Sequence, residues 1–354
     1  MRAPPGLHLH YLSLAEYQSA QWGDVLGVAT FNGSDATNPE VAGPAGIPVA
    51  HVGTPVLAAA GDLYEVWRCG EPAESGEHER VRFRRSGELL FGCIAVPETG
   101  GTRACDNGHP PLQEATAQAY RQIFATVAAE NYPHLLRIWN YLPAINRDEH
   151  GCERYRQFNR ARQLALRACG RAHQGNVPAA SALGSPLASP LVVYFLAART
   201  APTFVENPRQ VSAYHYPREY GSHSPAFSRA TLLRQGARLM LFISGTASIV
   251  GHRSLHLGDT AAQTRETLAN IEALLAEANR AVRGARFELD TLACKVYVRR
   301  PADLPLVQAE LEAALGGGAR VVYLQADICR QDLLVEIVAA AMYPCAAYRG
   351  PGLP

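Results

Sequence analysis

The sequence predicts an α+β fold built from two similar units, each a mixed β-sheet with helices packed on one face. Three observations carry this. Glu88–Val96, Leu191–Ala197 and Arg238–Ile243 are apolar runs of strand length, with alternation that makes both faces apolar. Gln113–Glu130, Glu153–Cys169 and Thr260–Leu275 carry helical spacing. The order strand, glycine, loop, helix, strand occurs twice: LLFGCIAV, a helix from Gln113 and LLRIWNYL are mirrored by LFISGTAS, a helix from Thr260 and LACKVYV.

In chain order, residues 1 to about 60 are rich in Pro, Gly and Ala, with a strand-like piece at Val25–Ala29. Asp62–Cys69 and Val81–Arg85 alternate as strands, and Ala117, Tyr120, Ile123, Phe124 and Val127 give the first long helix its stripe. Leu135–Leu142 is a strand broken by Pro143. Arg147–Gly151 reads as a solvated linker, which divides the chain into units of residues 1–148 and 149–354. Gly175–Pro190 reads as a small-residue loop, and Gln210–Tyr216 as a strand stopped by Pro217. Arg238–Leu275 is the stretch around which the second unit is organised: a buried strand, the small-residue turn Ser244–Ser248, and a helix capped by Asp259 or Thr260. Thr291–Val298, a helix Leu304–Leu315, Arg320–Gln325 and Leu333–Ala340 complete it.

At 354 residues the chain holds two sizeable cores, and its net charge of +1 offers no field for nucleic acid or a membrane surface. No apolar run approaches the ~20 residues that cross a bilayer. The opening MRAPPGLHLHYLSLAEY lacks the continuous apolar core of a signal peptide, so a cytoplasmic protein is expected. Eight cysteines are scattered singly with no CxxC pair, which argues for free thiols and against zinc. His252 and His256 are four apart but follow a glycine in a loop without a third ligand, so polar contacts are expected and no metal.

The C-terminal half resembles the RidA (YjgF) superfamily through Ile243-Ser244-Gly245, the Gln263…Thr267…Asn270-Ile271 helix, Lys295-Val296-Tyr297 and Asp332–Ile337. The longer chain resembles the chorismatases, a family that embeds RidA-like domains, from about residue 60 onward. The segments that carry this are RIWNYLP at Arg137–Pro143, ERYRQFNRAR at Glu153–Arg162, QVSAYHYP at Gln210–Pro217, ISGTASIVGH at Ile243–His252 and CRQDLLVEI at Cys329–Ile337. The resemblance implies two RidA/YjgF-like (chorismate-mutase-like) units, no cofactor, and removal of the enolpyruvyl group of chorismate as pyruvate. Some members of the family form hydroxybenzoates; others hydrolyse chorismate to a dihydroxycyclohexadiene carboxylate.

Glu336 is the principal candidate. It alternates with apolar neighbours in LLVEIVAA, which raises its pKa and lets it act as a general acid. From the residues alone, an edge-strand glutamate facing water is the better fit, because most glutamates are exposed. The resemblance implies that it protonates the methylene of the enol ether. Tyr155 and Arg162 are seven apart on one helix and share a face; the resemblance makes both substrate contacts, together with Tyr216, and makes Val211 a pocket wall. Tyr214 and Tyr216 are expected to point the same way from one strand. Ala247 and Cys329 match positions that separate product subtypes: cysteine at 329 fits the hydroxybenzoate-forming type, whereas alanine at 247 leaves less room than glycine. A 3-hydroxybenzoate synthase, with 4-hydroxybenzoate as a second product, is therefore expected, hydrolysis being the alternative. A RidA-type imine deaminase and a non-catalytic binding protein stay open, as does assembly as a homo-oligomer.

Overall fold

The computed structural model describes residues 6–32, 44–58, 61–98, 109–170, 177–236, 238–282, 285–316 and 319–344. Three large sheets and two two-stranded hairpins occur among the described residues. The N-terminal segment forms β1 (His8–Leu12), a short helix α1 (Leu14–Gln18), β2 (Val25–Phe31), β3 (Val49–Val52), β4 (Val56–Leu57) and β5 (Leu63–Arg68), of which β1-β5-β2-β3 are one sheet.

The second sheet holds β6 (Glu74–His78), β7 (Val81–Ser86), β8 (Leu89–Val96), β9 (His134–Pro143), β12 (Ala179–Ser185) and β13 (Leu191–Ala198), in the order β12-β9-β13-β8-β7-β6. Between them run α2 (Pro111–Ala129), a small hairpin of β10 (Asp148–Glu149) and β11 (Cys152–Glu153), and α3 (Arg154–Ala168). The third holds β14 (Thr203–Val205), β15 (Ala230–Gln235), β16 (Arg238–Ala247), β19 (Ala293–Val298), β20 (Arg320–Gln325) and β21 (Val335–Pro344). Here the order is β14-β15-β16-β21-β19-β20, extended at its end by β4. The paired β17 (Ile249–Val250) and β18 (Arg253–Ser254), α4 (Thr260–Ala281) and α5 (Leu304–Leu315) connect its strands.

The repeat read from element order is complete. β6, β7, β8, α2, β9, α3, β12 and β13 correspond in turn to β14, β15, β16, α4, β19, α5, β20 and β21. In each unit the pair at one end is parallel (β9 with β12, β19 with β20) and the rest are antiparallel. Each helical stripe covers one face of its own sheet. Ile123 and Val127 of α2 pack with Ile94 and Ile138, and Ile271 and Leu274 of α4 with Leu241 and Val296. Asp259 caps α4 by accepting from the Ala262 amide at 2.9 Å.

Both faces of β16 are indeed buried, and they serve different cores. Leu239, Leu241 and Ile243 face α4, while Met240 and Phe242 join Trp67 of the first sheet and Phe91, Trp139 and Tyr194 of the second. The three sheets therefore share one central core. Lys295, the only lysine in the sequence, sits in it fully buried. Its amine donates to Glu65 of β5 and, at 2.7 Å, to the Tyr194 hydroxyl; Trp67 and Tyr194 also donate to Glu65. Burial without this partner set would cost several kcal/mol.

Four expectations are corrected. The division at residue 148 fails, because β12 and β13 pair with β9 and β8; the strands change sheet only after Ala198. Arg147–Gly151 is mostly exposed, as expected, but it is no linker: it holds β10 and the turn of the β10–β11 hairpin. The adjoining Arg154, buried, draws the hairpin down by pairing with Glu149 at 2.6 Å and with Glu98. The supposed loop from Gly175 contains β12, whose residues are small because the second unit presses on it: a Cβ on Gly184 would meet Asp327 Cβ at 2.7 Å, and the Ala180 amide donates to Ser244. Gln210–Tyr216 is a loop with a 3-10 turn at Ala213–His215, so Tyr214 and Tyr216 do not alternate from a strand. The six described cysteines are unpaired; Cys105 and Cys345 lie outside the described residues. No described helix is long and apolar enough to cross a membrane.

Candidate active site

A cavity of about 610 Å³ opens where the two units meet, within the ~300–1,000 Å³ usual for small-molecule sites. The first unit contributes Tyr155 of α3 and the β10–β11 hairpin. The second contributes Tyr216, Phe227, Arg229, Gly245, Ala247, Cys329, Arg330 and Glu336.

Glu336 is on the inter-sheet face of β21, the face that also carries Val338 and Ala340. It is 3% exposed, and its neighbours across the sheet are Ala247 of β16 and Tyr297 of β19. The register of β16 slips between Ile243 and Thr246, a bulge that turns Gly245 toward the carboxyl. A Cβ on Gly245 would lie 1.9 Å from Glu336 Oε1. Glycine leaves room there for close approach, as the small residues implied, but Ser244–Ala247 continue β16 and are not the turn expected. Oε1 is buried without a hydrogen-bond partner. Burial raises the carboxyl pKa to about 8 against the opposing pull of Arg137 and Arg299, so the group is protonated at neutral pH.

Three arginines line the cavity: Arg156, which is exposed and paired with Glu153, and the more enclosed Arg229 and Arg330. Arg229 donates from Nη2 to the Val211 carbonyl at 2.7 Å and to the Tyr216 hydroxyl at 2.9 Å, while its Nε is buried without a partner. Arg330 lies 4.0 Å over the Tyr220 ring and donates to the His252 carbonyl at 2.8 Å; its Nη2 has no partner. Each keeps a free N–H for a ligand, and an arginine fork suits a carboxylate. Arg299 donates to the backbone carbonyls of Ile328, Arg330 and Leu333, so it shapes the loop that brings Cys329 and Arg330 to the wall. Cys329 is no nucleophile at neutral pH, since burial and the nearby Glu336 push its thiol up to about 12.

Of the residues singled out from the sequence, Glu336, Tyr155, Tyr216, Ala247 and Cys329 line this one cavity. Arg162 and Val211 are not among its lining residues. Arg162 is buried behind Tyr155, bonded to Asn159 at 2.9 Å and stacked 4.8 Å over Phe158. Val211 acts through its carbonyl, which fixes Arg229. His256 bonds Glu266 at 3.1 Å, and no group of His, Cys, Asp and Glu able to hold a metal occurs among the described residues. Sequence reasoning missed Arg229 and Arg330 as site residues.

Residues 65–197 match the family model described as chorismatase FkbO/Hyg5-like, N-terminal. The chain is 39% identical to a 3-hydroxybenzoate synthase of Streptomyces hygroscopicus over 81% of its own length and 84% of the relative's. It is 39% identical to a chorismatase of Streptomyces rapamycinicus, covering 77% of this chain and 80% of that one. A chorismatase crystal structure superposes with a TM-score of 0.84 at 33% identity, over 95% of this chain and 98% of the other. An α+β protein of paired sheets with a buried acid between its units is thus the class. The chain belongs to the chorismatase family.

Proposed function

We propose that this protein converts chorismate to 3-hydroxybenzoate and pyruvate, with Glu336 as the general acid. The observation that carries the reading is a neutral, buried carboxyl in the same cavity as two arginines with unpartnered N–H groups. The product follows the name of the 3-hydroxybenzoate synthase relative. Chorismate carries two carboxylates, and Arg229 and Arg330 supply the matching cations. Tyr155 and Tyr216 border the ring, Arg162 backs Tyr155, and Val211 holds Arg229 in place.

Glu336 gives its proton to the enolpyruvyl methylene carbon. The C–H bond forms from the alkene electron pair, and the ether carbon becomes an oxocarbenium centre, which makes pyruvate a good leaving group. The neighbouring ring hydroxyl attacks the ring carbon as its C–O bond to pyruvate breaks, and the hydroxyl proton returns to the Glu336 carboxylate. The epoxide so formed opens at the hydroxyl's original C–O bond, its oxygen takes up a proton, and loss of the proton from the carbon that keeps this oxygen makes the ring aromatic. No water is consumed, so a cavity that excludes water at Ala247 and Cys329 favours this route over hydrolysis. Ala247 flanks Glu336 in the sheet, and its methyl narrows the space there, which supports 4-hydroxybenzoate as a minor second product. Incubating the purified protein with chorismate and separating the aromatic products tests the reading. Pyruvate with 3-hydroxybenzoate is expected; a dihydroxycyclohexadiene carboxylate, or unchanged chorismate, overturns it.

A further inference from the structure

Arg137 stands out among the buried cations. It lies on β9 and is 0% exposed. Its guanidinium donates to the Ile138 carbonyl and to the Ser181 hydroxyl, each at 3.0 Å, and stacks 4.8 Å over Trp139. Nε is buried without a partner, and no carboxylate lies within ion-pair distance of Arg137 among the described residues. Arg154 has Glu98 and Glu149 and Lys295 has Glu65, whereas the buried Arg84, Arg162 and Arg229 share with Arg137 the lack of a carboxylate at ion-pair distance among the described residues. An unbalanced buried charge costs several kcal/mol, so its retention asks for an anion that is present only part of the time.

The surroundings name that anion. Ser181, which Arg137 holds, crowds the same space as the acid. A Cβ built on Gly245 would meet Glu336 Oε1 at 1.9 Å and Ser181 Cβ at 3.2 Å. Oε1 of Glu336 is itself buried without a partner. An unpartnered guanidinium N–H and an unpartnered carboxyl oxygen are thus buried in one neighbourhood. The Glu336 proton leaves when the methylene is protonated, and a carboxylate then remains in a site with little water.

We propose that Arg137 is a positioning residue whose permanent charge balances the Glu336 carboxylate formed on proton delivery, and so sets the strength of the acid. It touches no substrate, for it is absent from the cavity lining. The proposal rests on Glu336 as the acid. The other charged or titratable groups that line the cavity with Glu336 are Asp148, Cys152 and Glu153 of the β10–β11 hairpin, Tyr155 and Arg156 of α3, Tyr216, Tyr220 and Arg229, and Cys329, Arg330 and Asp332 of the loop before β21; Tyr297 of β19 lies beside it in the sheet and Arg299 behind that loop. Tyr297 bonds the Tyr141 hydroxyl at 2.6 Å, and its hydroxyl pKa is raised by burial, so it stays neutral. Arg299 is already paired with Asp327 at 2.6 Å. Of the two arginines whose charge acts on the Glu336 carboxyl, Arg137 is the one without a carboxylate at ion-pair distance among the described residues.

The test is Arg137→Met beside Arg137→Lys, with kcat, KM and the pH profile of kcat/KM for each. Removing an opposite charge raises a carboxyl pKa, by about one unit or more when the charge lies within ~4–6 Å. The alkaline limb should therefore move up by about one pH unit in Arg137→Met. Its kcat should fall at least about tenfold, since a weaker acid transfers its proton more slowly, with KM little changed. Arg137→Lys should return the limb toward the wild-type position. An unmoved limb with reduced kcat, or an effect on KM alone, overturns the proposal. Should Arg137→Met not fold, Ser181→Ala removes the hydroxyl that holds the guanidinium; a wild-type profile there overturns it equally. Infrared titration of the Glu336 carboxyl, identified by its loss in Glu336→Gln, reads the pKa without turnover. If that pKa rises in Arg137→Met while Glu336→Gln keeps full activity, the acid assignment fails and the charge coupling stands.

Discussion

Replacing Glu336 by glutamine should make the protein more stable, and the gain should depend on pH in a calculable way. The carboxyl has an ordinary value of 4.5 and is raised to about 8 in the folded protein. Between those values the folded chain holds a proton that the unfolded chain has lost. Stability linked to this group is full below about pH 4.5 and drains away as pH rises toward 8. One proton changes stability by ~1.4 kcal/mol per pH unit; over the whole window that amounts to about 5 kcal/mol. Glutamine keeps the shape and the neutral hydrogen-bonding groups but carries no such linkage. Melting curves of both proteins from pH 5 to 8.5 should nearly coincide at the acid end and separate by several degrees at the alkaline end. The same variant should release pyruvate from chorismate at least about a hundredfold more slowly. A difference in Tm that stays constant across the range would refute the account of Glu336 as a buried, neutral acid, whatever the activity shows.

Other substitutions probe the walls around it. Gly245→Ala should lower kcat by about a hundredfold, the scale expected when a reacting group is displaced by ~1 Å, because the new methyl would overlap Glu336 Oε1; a normal kcat would show that the carboxyl is not held against that glycine. Arg229→Met should raise KM by about ten- to a hundredfold, the value of a charge-assisted contact of ~1.5–3 kcal/mol, and an unchanged KM in steady-state assays would remove Arg229 from substrate binding. Lys295→Met should destabilise the fold by about 3–5 kcal/mol by leaving Glu65 buried without its cation, and Lys295→Met with Glu65→Gln should recover part of that loss in urea melts.

The periodic elements were legible in the sequence, since β8, β16, α2 and α4 each have a pattern that only one local structure satisfies. Glu336 was legible only through the family resemblance, since a glutamate in an apolar strand can as well face water from an edge. β12 was not, because its Ala, Ser and Gly residues are dictated by the unit pressed against it, not by its own alternation. Tyr214 and Tyr216 have the spacing of a strand but lie in a turn, where Tyr216 is fixed by Arg229. The arginines of the site carry no local signal: the chain has 33 Lys and Arg residues, and which of them point inward is decided by contacts far apart in sequence. One signal was there to be used. A sequence with a single lysine that falls inside an apolar strand marks a buried amine, and a buried amine demands a carboxylate from elsewhere.

That amine and its carboxylate are 230 positions apart, and this has a consequence for how the polypeptide comes off the ribosome. When Ala198 emerges, β13 can complete its sheet and Trp67 of the first sheet can cover part of the face made by Phe91, Trp139 and Tyr194, but Met240 and Phe242, which complete that core, are still to come. Glu65 likewise waits without its counter-ion until Lys295 has been synthesised. The nascent chain stays sticky while the roughly hundred residues from Ala198 to Lys295 are added, a period in which such intermediates are prone to aggregate. Fragments ending near residue 198 will for the same reason be poor starting points for dissecting the enzyme.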